Sequence, residues 1–245
     1  MKETALNDFL TSPLRKLVSI MPPQLICKLE FSRQSFEGFN ERPVEFGFVF
    51  RCIQSLYPKK VLDVGTGTTA LPSLIRNCGC LVTAIDNIKD YWSSGMSNRH
   101  YYVLNDDITA QNTRVEGKFD LITCVSVLEH IEKHDDAISN MFNLLNPDGH
   151  LILTFPYSES QFVKNVYDLV GSNAYGRNVP YTCQSFSRNE LSRWIKNKGE
   201  IVEQEYWQFW DGDYWSIGNK LIPPFRTESS KRHQLSCVLI RKIPL

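Results

Sequence analysis

Apolar positions recur along the chain with two different spacings, and where they alternate they outline an α/β fold. From Lys60 onward, short apolar runs of strand character alternate with segments patterned at three- and four-residue intervals. That is the signature of a mostly parallel sheet with helices on its faces. Val61 to Val64 is the first expected strand, ending at Gly65, and a helix follows from about Thr69 to Asn77. Further strands are expected at Leu81 to Ile85, closed by Asp86, and at Tyr101 to Leu104, closed by Asn105-Asp106-Asp107. Phe119 to Val125 and His150 to Phe155 are the fourth and fifth. Between those two, a helix from about Asp135 to Leu145 places Ile138, Met141, Phe142 and Leu145 on one buried face. Asp135 and Asp136 suit its positive N-terminal end, and Asn146-Pro147-Asp148-Gly149 stops it.

After Phe155 the alternation breaks into a polar and aromatic insertion over residues 156 to about 186. A helix from Arg188 to Lys198 follows, with Ser187 as N-cap, Glu190 completing a capping box and Gly199 as the C′ residue. Ile201 to Phe209 and Leu235 to Ile240 read as two closing strands, separated by an aromatic loop with Gly and Pro. Residues 1–57 are irregular, with Pro13, Pro22, Pro23 and Pro43, and read as a helical extension or lid ahead of a domain spanning 58–245.

Composition narrows the function classes. The 245 residues fit one large domain or one domain with an elaboration. Twenty-seven basic and 27 acidic residues cancel, whereas binding through phosphate neutralisation favours a basic excess, so nucleic acid is not the expected partner. The seven cysteines are odd in number and lie mostly in apolar stretches, which reads as reduced thiols in the cytoplasm. No apolar run approaches the roughly 18 residues of a membrane span. Cys78-Gly-Cys80 is the one close cysteine pair and nothing completes a zinc set around it, so no metal is expected.

Chemistry enters at Asp63-Val64-Gly65-Thr66-Gly67-Thr68-Thr69, a strand-to-helix turn. Glycines let such a turn bend sharply and let a ligand approach the backbone. Gly65, Gly67 and Ala70, with Asp86 farther on, also satisfy a loose dinucleotide pattern, so a dinucleotide and S-adenosylmethionine compete for this turn. Asp63 favours the second. A carboxylate two residues before the first glycine repels a pyrophosphate and attracts a sulfonium and an ammonium group.

At this point the chain resembles the class I S-adenosylmethionine-dependent methyltransferases. The resemblance rests on Val61 to Thr69, Asp86, Asp107, Phe119 to Ile131 and Leu145 to Phe155. It implies a Rossmann-like, seven-stranded, mostly parallel sheet with an antiparallel last strand and helices on both faces. It implies S-adenosylmethionine as cofactor, with Gly65 and Gly67 passing beneath the methionine and ribose portions and Asp63 near the sulfonium and amino end. Asp86 would accept from the ribose hydroxyls, and Asp107 from the adenine amino group beside the Ile108 amide, with Asp106 the competing candidate. Backbone carbonyls from Cys124 to Ser126 would line the methionine end.

The acceptor side is less determined. Ser126-Val127-Leu128-Glu129-His130 follows the fourth strand, and His130 is the candidate base for a hydroxyl acceptor. Some small-RNA methyltransferases use Glu and His there as metal ligands but carry another Glu where this chain has Ser126. Tyr157 and Arg177 in the insertion, and Trp210, Asp211, Asp213, Tyr214 and Trp215 beyond the next strand, are candidate acceptor contacts. Aromatic faces beside carboxylates suit a sugar or a cation. The expected activity is therefore methyl transfer to an oxygen, with nitrogen less favoured, of a small molecule or saccharide. Methylation of RNA or protein, and an inactive methyltransferase-like binding module, are the alternatives. The N-terminal extension is a candidate homodimer element.

Overall fold

In the computed structural model, described for residues 23–36, 38–92 and 95–243, the alternating pattern becomes one eight-stranded sheet. Helices α1 (Pro23–Ser32) and α2 (Arg42–Leu56) precede β1 (Lys60–Val64), α3 (Leu71–Asn77), β2 (Leu81–Asp86) and β3 (Leu104–Asn105). Then come β4 (Phe119–Val125), a 3-10 turn (Leu128–His130), α4 (His134–Leu144) and β5 (Leu145–Pro156). The chain continues through α5 (Arg188–Ile195), β6 (Gly199–Trp210), β7 (Lys220–Thr227) and β8 (Leu235–Lys242). The strand order is β3-β2-β1-β4-β5-β8-β6-β7. The first five strands are parallel neighbours, β8 runs antiparallel to β5, and β6 and β7 follow antiparallel to β8 and β6 in turn.

Period-two alternation gives the sheet two apolar faces. Leu62, Ile122, Leu151, Leu153, Val238 and Ile240 pack with α4 and α5. Val61, Leu121, Ile152 and Leu239 pack on the opposite face with Phe48, Val49 and Ile53 of α2 and with Ile75 of α3. The capping box of Ser187 and Glu190 is present. Asp135, in the first turn of α4, accepts from Trp194 Nε1 at 2.7 Å and so joins the two helices of its face.

Several expected boundaries move. The sheet has an eighth strand, β7, where the sequence reads as a loop because of Pro223-Pro224. Those prolines fall in the break of β6 pairing between Gln208 and Trp210, at the sheet edge, where a missing N–H leaves no partner unsatisfied. β3 is two residues long and lies at Leu104–Asn105 instead of Tyr101 to Leu104. Helix α5 stops at Ile195 because Asn197 takes the left-handed conformation (φ 58°). Gly199 therefore opens β6, where a Cβ would press on the Arg241 carbonyl and Ile240. Residues 1–22 of the expected extension lie outside the described residues. Among the described residues, no helix is long and apolar enough to cross a membrane, and no cluster of His, Cys, Asp or Glu is placed to hold a metal ion.

Candidate active site

β1 leaves the sheet through Gly65-Thr66-Gly67, and both glycines have positive φ (70° and 55°). At Gly65 space is also decisive, because a Cβ there would overlap the Val127 methyls. Asp63 sits beneath this turn, buried. Its Oδ2 accepts from Thr66 Oγ1 at 2.7 Å and its Oδ1 from Thr123 Oγ1 at 2.7 Å. Burial pushes its carboxyl up to about 6, against the opposing effect of the two hydroxyls. Both oxygens of Asp63 are thus engaged in tying β1, the turn and β4 together.

The next two strand ends carry the carboxylates expected there. Asp86 accepts from Gly67 N at 2.8 Å through Oδ2 and from Trp92 Nε1 at 2.7 Å through Oδ1. Burial raises its pKa above the ordinary range. Asp106 and Asp107 separate by role. Asp106 is buried and holds the backbone, accepting from Asp107 N at Oδ1 and from Arg114 N and Val115 N at Oδ2. Asp107 is half-buried and accepts from Thr109 N and Oγ1 only through Oδ1. Among the described residues, Oδ2 of Asp107 has no donor, which leaves this carboxylate open to a ligand. Ile108 is buried beside it, its carbonyl held by Asn140 at 2.7 Å.

The end of β4 brings in a residue with no signal in its local sequence. Ser126, in the left-handed conformation (φ 51°), donates from Oγ to Glu45 Oε1 at 2.5 Å. Thr154 Oγ1 donates to the same oxygen at 2.6 Å, and Arg42 Nη1 donates to Glu45 Oε2 at 2.7 Å. Glu45 is completely buried in α2, and burial raises its pKa despite Arg42. One carboxylate therefore fixes α2 to the ends of β4 and β5. Cys124 is buried in β4, with its thiol well above the ordinary range through burial.

Beyond Ser126 the 3-10 turn presents Glu129 and His130. His130 Nδ1 lies 2.6 Å from the Thr182 carbonyl. A carbonyl only accepts, so Nδ1 carries the hydrogen and Nε2 keeps the lone pair. Burial lowers the His130 pKa, which favours this neutral form. Glu129 Oε1 is 4.0 Å from His130 Nε2, while Glu129 Oε2 is buried without a hydrogen-bond partner among the described residues. Burial pushes the Glu129 carboxyl up to about 8, so it holds a proton at neutral pH. Tyr181 packs edge-on against the imidazole at 5.0 Å, and Tyr167 packs against Tyr181 at 6.1 Å. Turn, carboxylates and imidazole all stand at the carboxyl edge of the parallel strands, where open α/β sheets bind ligands.

A family model described as a methyltransferase domain matches residues 46–204. The chain belongs to the methyltransferase-domain family. It is 27% identical over 165 residues to a ubiquinone biosynthesis O-methyltransferase of Coxiella burnetii, covering 64% of this chain and 69% of that one. Solved structures that share its fold include two methyltransferases. One is a 1,6-didemethyltoxoflavin-N1-methyltransferase of Burkholderia thailandensis with bound S-adenosylhomocysteine, with a TM-score of 0.54, 15% identity and coverage of 96% and 92%. The other is the N-methyltransferase NodS of Bradyrhizobium japonicum in complex with S-adenosylhomocysteine, with a TM-score of 0.50, 18% identity and coverage of 82% and 87%.

The protein is an S-adenosylmethionine-dependent methyltransferase. The chain's residues fit that cofactor. The glycine turn has the open backbone a ligand needs, Asp86 offers a carboxylate at the end of β2, and Asp107 keeps one oxygen open beside the Ile108 amide. In the methyltransferase, Asp63 lies beneath the turn, each of its oxygens accepting one threonine hydroxyl.

The expected acceptor contacts are engaged with other parts of the fold. Tyr157 is completely buried among Phe155, Tyr206 and His233, out of reach of any acceptor. Arg177 is exposed on a turn of the insertion. Asp211 binds Asn219 N at 2.7 Å, Asp213 pairs with Arg232 at 3.0 Å, and Tyr214 donates to Gln161 at 3.2 Å. Trp215 packs on Phe209 at 5.4 Å and on Trp210 at 6.2 Å. The loop follows β6, three strand positions from β4, and its contacts tie it to β6, to the insertion and to Arg232 ahead of β8. Trp215→Ala is accordingly expected to cost about 2 kcal/mol of stability. Thermal melts should fall by about 4–8 °C, and calorimetry should find S-adenosylhomocysteine affinity within about threefold of the parent.

Proposed function

We propose that this methyltransferase transfers the methyl group of S-adenosylmethionine to a hydroxyl oxygen of a small aromatic molecule, with His130 taking the hydroxyl proton. The observation that carries this reading is the Nδ1 hydrogen bond to the Thr182 carbonyl, which leaves Nε2 as an available base. When bound, the cofactor supplies a methyl group already activated by a sulfonium. What the protein must add is alignment and a destination for the proton. With the cofactor bound, the acceptor hydroxyl would give its proton to His130 Nε2. Glu129, protonated at neutral pH, does not compete for it. Tyr181 and Tyr167 suit a flat ring at this position.

Sequence relatives named as O-methyltransferases support oxygen as the acceptor atom. Structural neighbours named as N-methyltransferases share the fold alone and do not bear on the choice of atom. The test is incubation with methyl-labelled S-adenosylmethionine and three acceptor pools: phenols, sugars and primary amines. Label is expected in phenolic methyl ethers. Label confined to the amines, or to the sugars, would overturn the reading.

A further inference from the structure

Asp86 is the carboxylate that resemblance assigns to the ribose, and both its oxygens already have protein donors. Gly67 N occupies Oδ2 at 2.8 Å, and that bond is part of the turn. The donor to Oδ1, at 2.7 Å, is the indole Nε1 of Trp92, delivered by the loop after β2. The same indole lies over Gly67, since a Cβ built there would meet Trp92 Cζ2 at 3.6 Å. Tyr91 packs edge-on behind it at 5.7 Å. One side chain therefore stands both at an oxygen of Asp86 and over the backbone surface that a ribose would use.

We propose that Trp92 is a competing donor that sets cofactor affinity: its indole N–H leaves Asp86 when a ribose hydroxyl takes its place. Binding then exchanges one hydrogen bond to a carboxylate for another and gains only the difference between them. A protein whose binding-competent form is partly suppressed in this way shows a weaker apparent affinity than its contacts alone would give. The inference rests on the ribose role of Asp86. It is independent of the acceptor and of His130, because it concerns cofactor binding alone.

The test is calorimetric titration of S-adenosylhomocysteine, without acceptor, into the parent protein, Trp92→Phe and Trp92→Leu. Both variants lack the donor, and phenylalanine keeps a ring over Gly67. Binding about three- to tenfold tighter than the parent is expected in each, a tenfold change being about 1.4 kcal/mol. Unchanged affinity would mean that the indole does not compete, and weaker affinity that it belongs to the bound site. Either result overturns the proposal. The parent protein gives a readout that does not depend on the variants folding. Of its five indole N–H signals in nitrogen–proton spectra, the one held by Asp86 should move upfield and exchange faster with solvent as the product analogue saturates. An indole spectrum unmoved at saturation overturns the proposal as well.

Discussion

His130→Ala is expected to lower kcat by about a hundredfold to ten-thousandfold, the range over which a positioned base acts, while S-adenosylhomocysteine binds as in the parent. The two effects separate because the imidazole is on the 3-10 turn after β4, whereas the carboxylates assigned to the cofactor end β2 and β3. The pH profile adds a second criterion. A neutral imidazole is the active form, so the parent rate should fall on the acid side as His130 gains a proton. Burial lowers its pKa, so that limb lies below the ordinary imidazole range. The alanine variant should lack the limb altogether. A loss of less than about fivefold with the limb retained would assign the proton to another group.

The second large effect concerns stability. The Glu129 carboxyl is pushed up to about 8 by burial in the folded protein, whereas an unfolded chain releases that proton near 4.3. Between those values the folded state holds one more proton than the unfolded state. The contribution of this group is therefore complete below pH 4.3 and is lost as pH rises toward 8. The slope is about 1.4 kcal/mol per pH unit for one proton. Glu129→Gln keeps the shape and removes the titration. Urea unfolding from pH 5 to 9 should give the variant a flatter stability curve, and it should be the more stable protein at pH 9. The raised carboxyls of Asp63 and Asp86 remain in both proteins, so the difference between the curves isolates Glu129. Parallel curves would show that Glu129 is ionised when folded.

The parts of the site that lie close together in sequence were legible there. The glycine turn, Asp86 and the Glu129-His130 pair each follow a strand with a clear apolar run, so their place at the carboxyl edge could be read directly. Asp106 and Asp107 were not separable, because only the fold of the following loop returns Arg114 N and Val115 N to the first of them. Glu45 was invisible for a different reason. Its partners Ser126 and Thr154 are 81 and 109 residues away, and a glutamate in the first turn of an amphipathic helix reads as a dipole complement. Trp92 lies in a loop with no period to interpret. The aromatic run after β6 was the reverse case, a conspicuous pattern spent on packing and loop closure.

The order of strands in the sheet bears on the order in which the chain is made. β8 follows the other described strands in chain order, yet it lies between β5 and β6. Until Leu235–Lys242 has left the ribosome, β5 and β6 each present an unpaired edge, and Ile152 and Leu153 lack the neighbours they meet through β8. Open edges of this kind invite pairing with other chains. Both edges stay open to such pairing until β8 docks between them. For the same reason, loss of β8 would open the middle of the sheet.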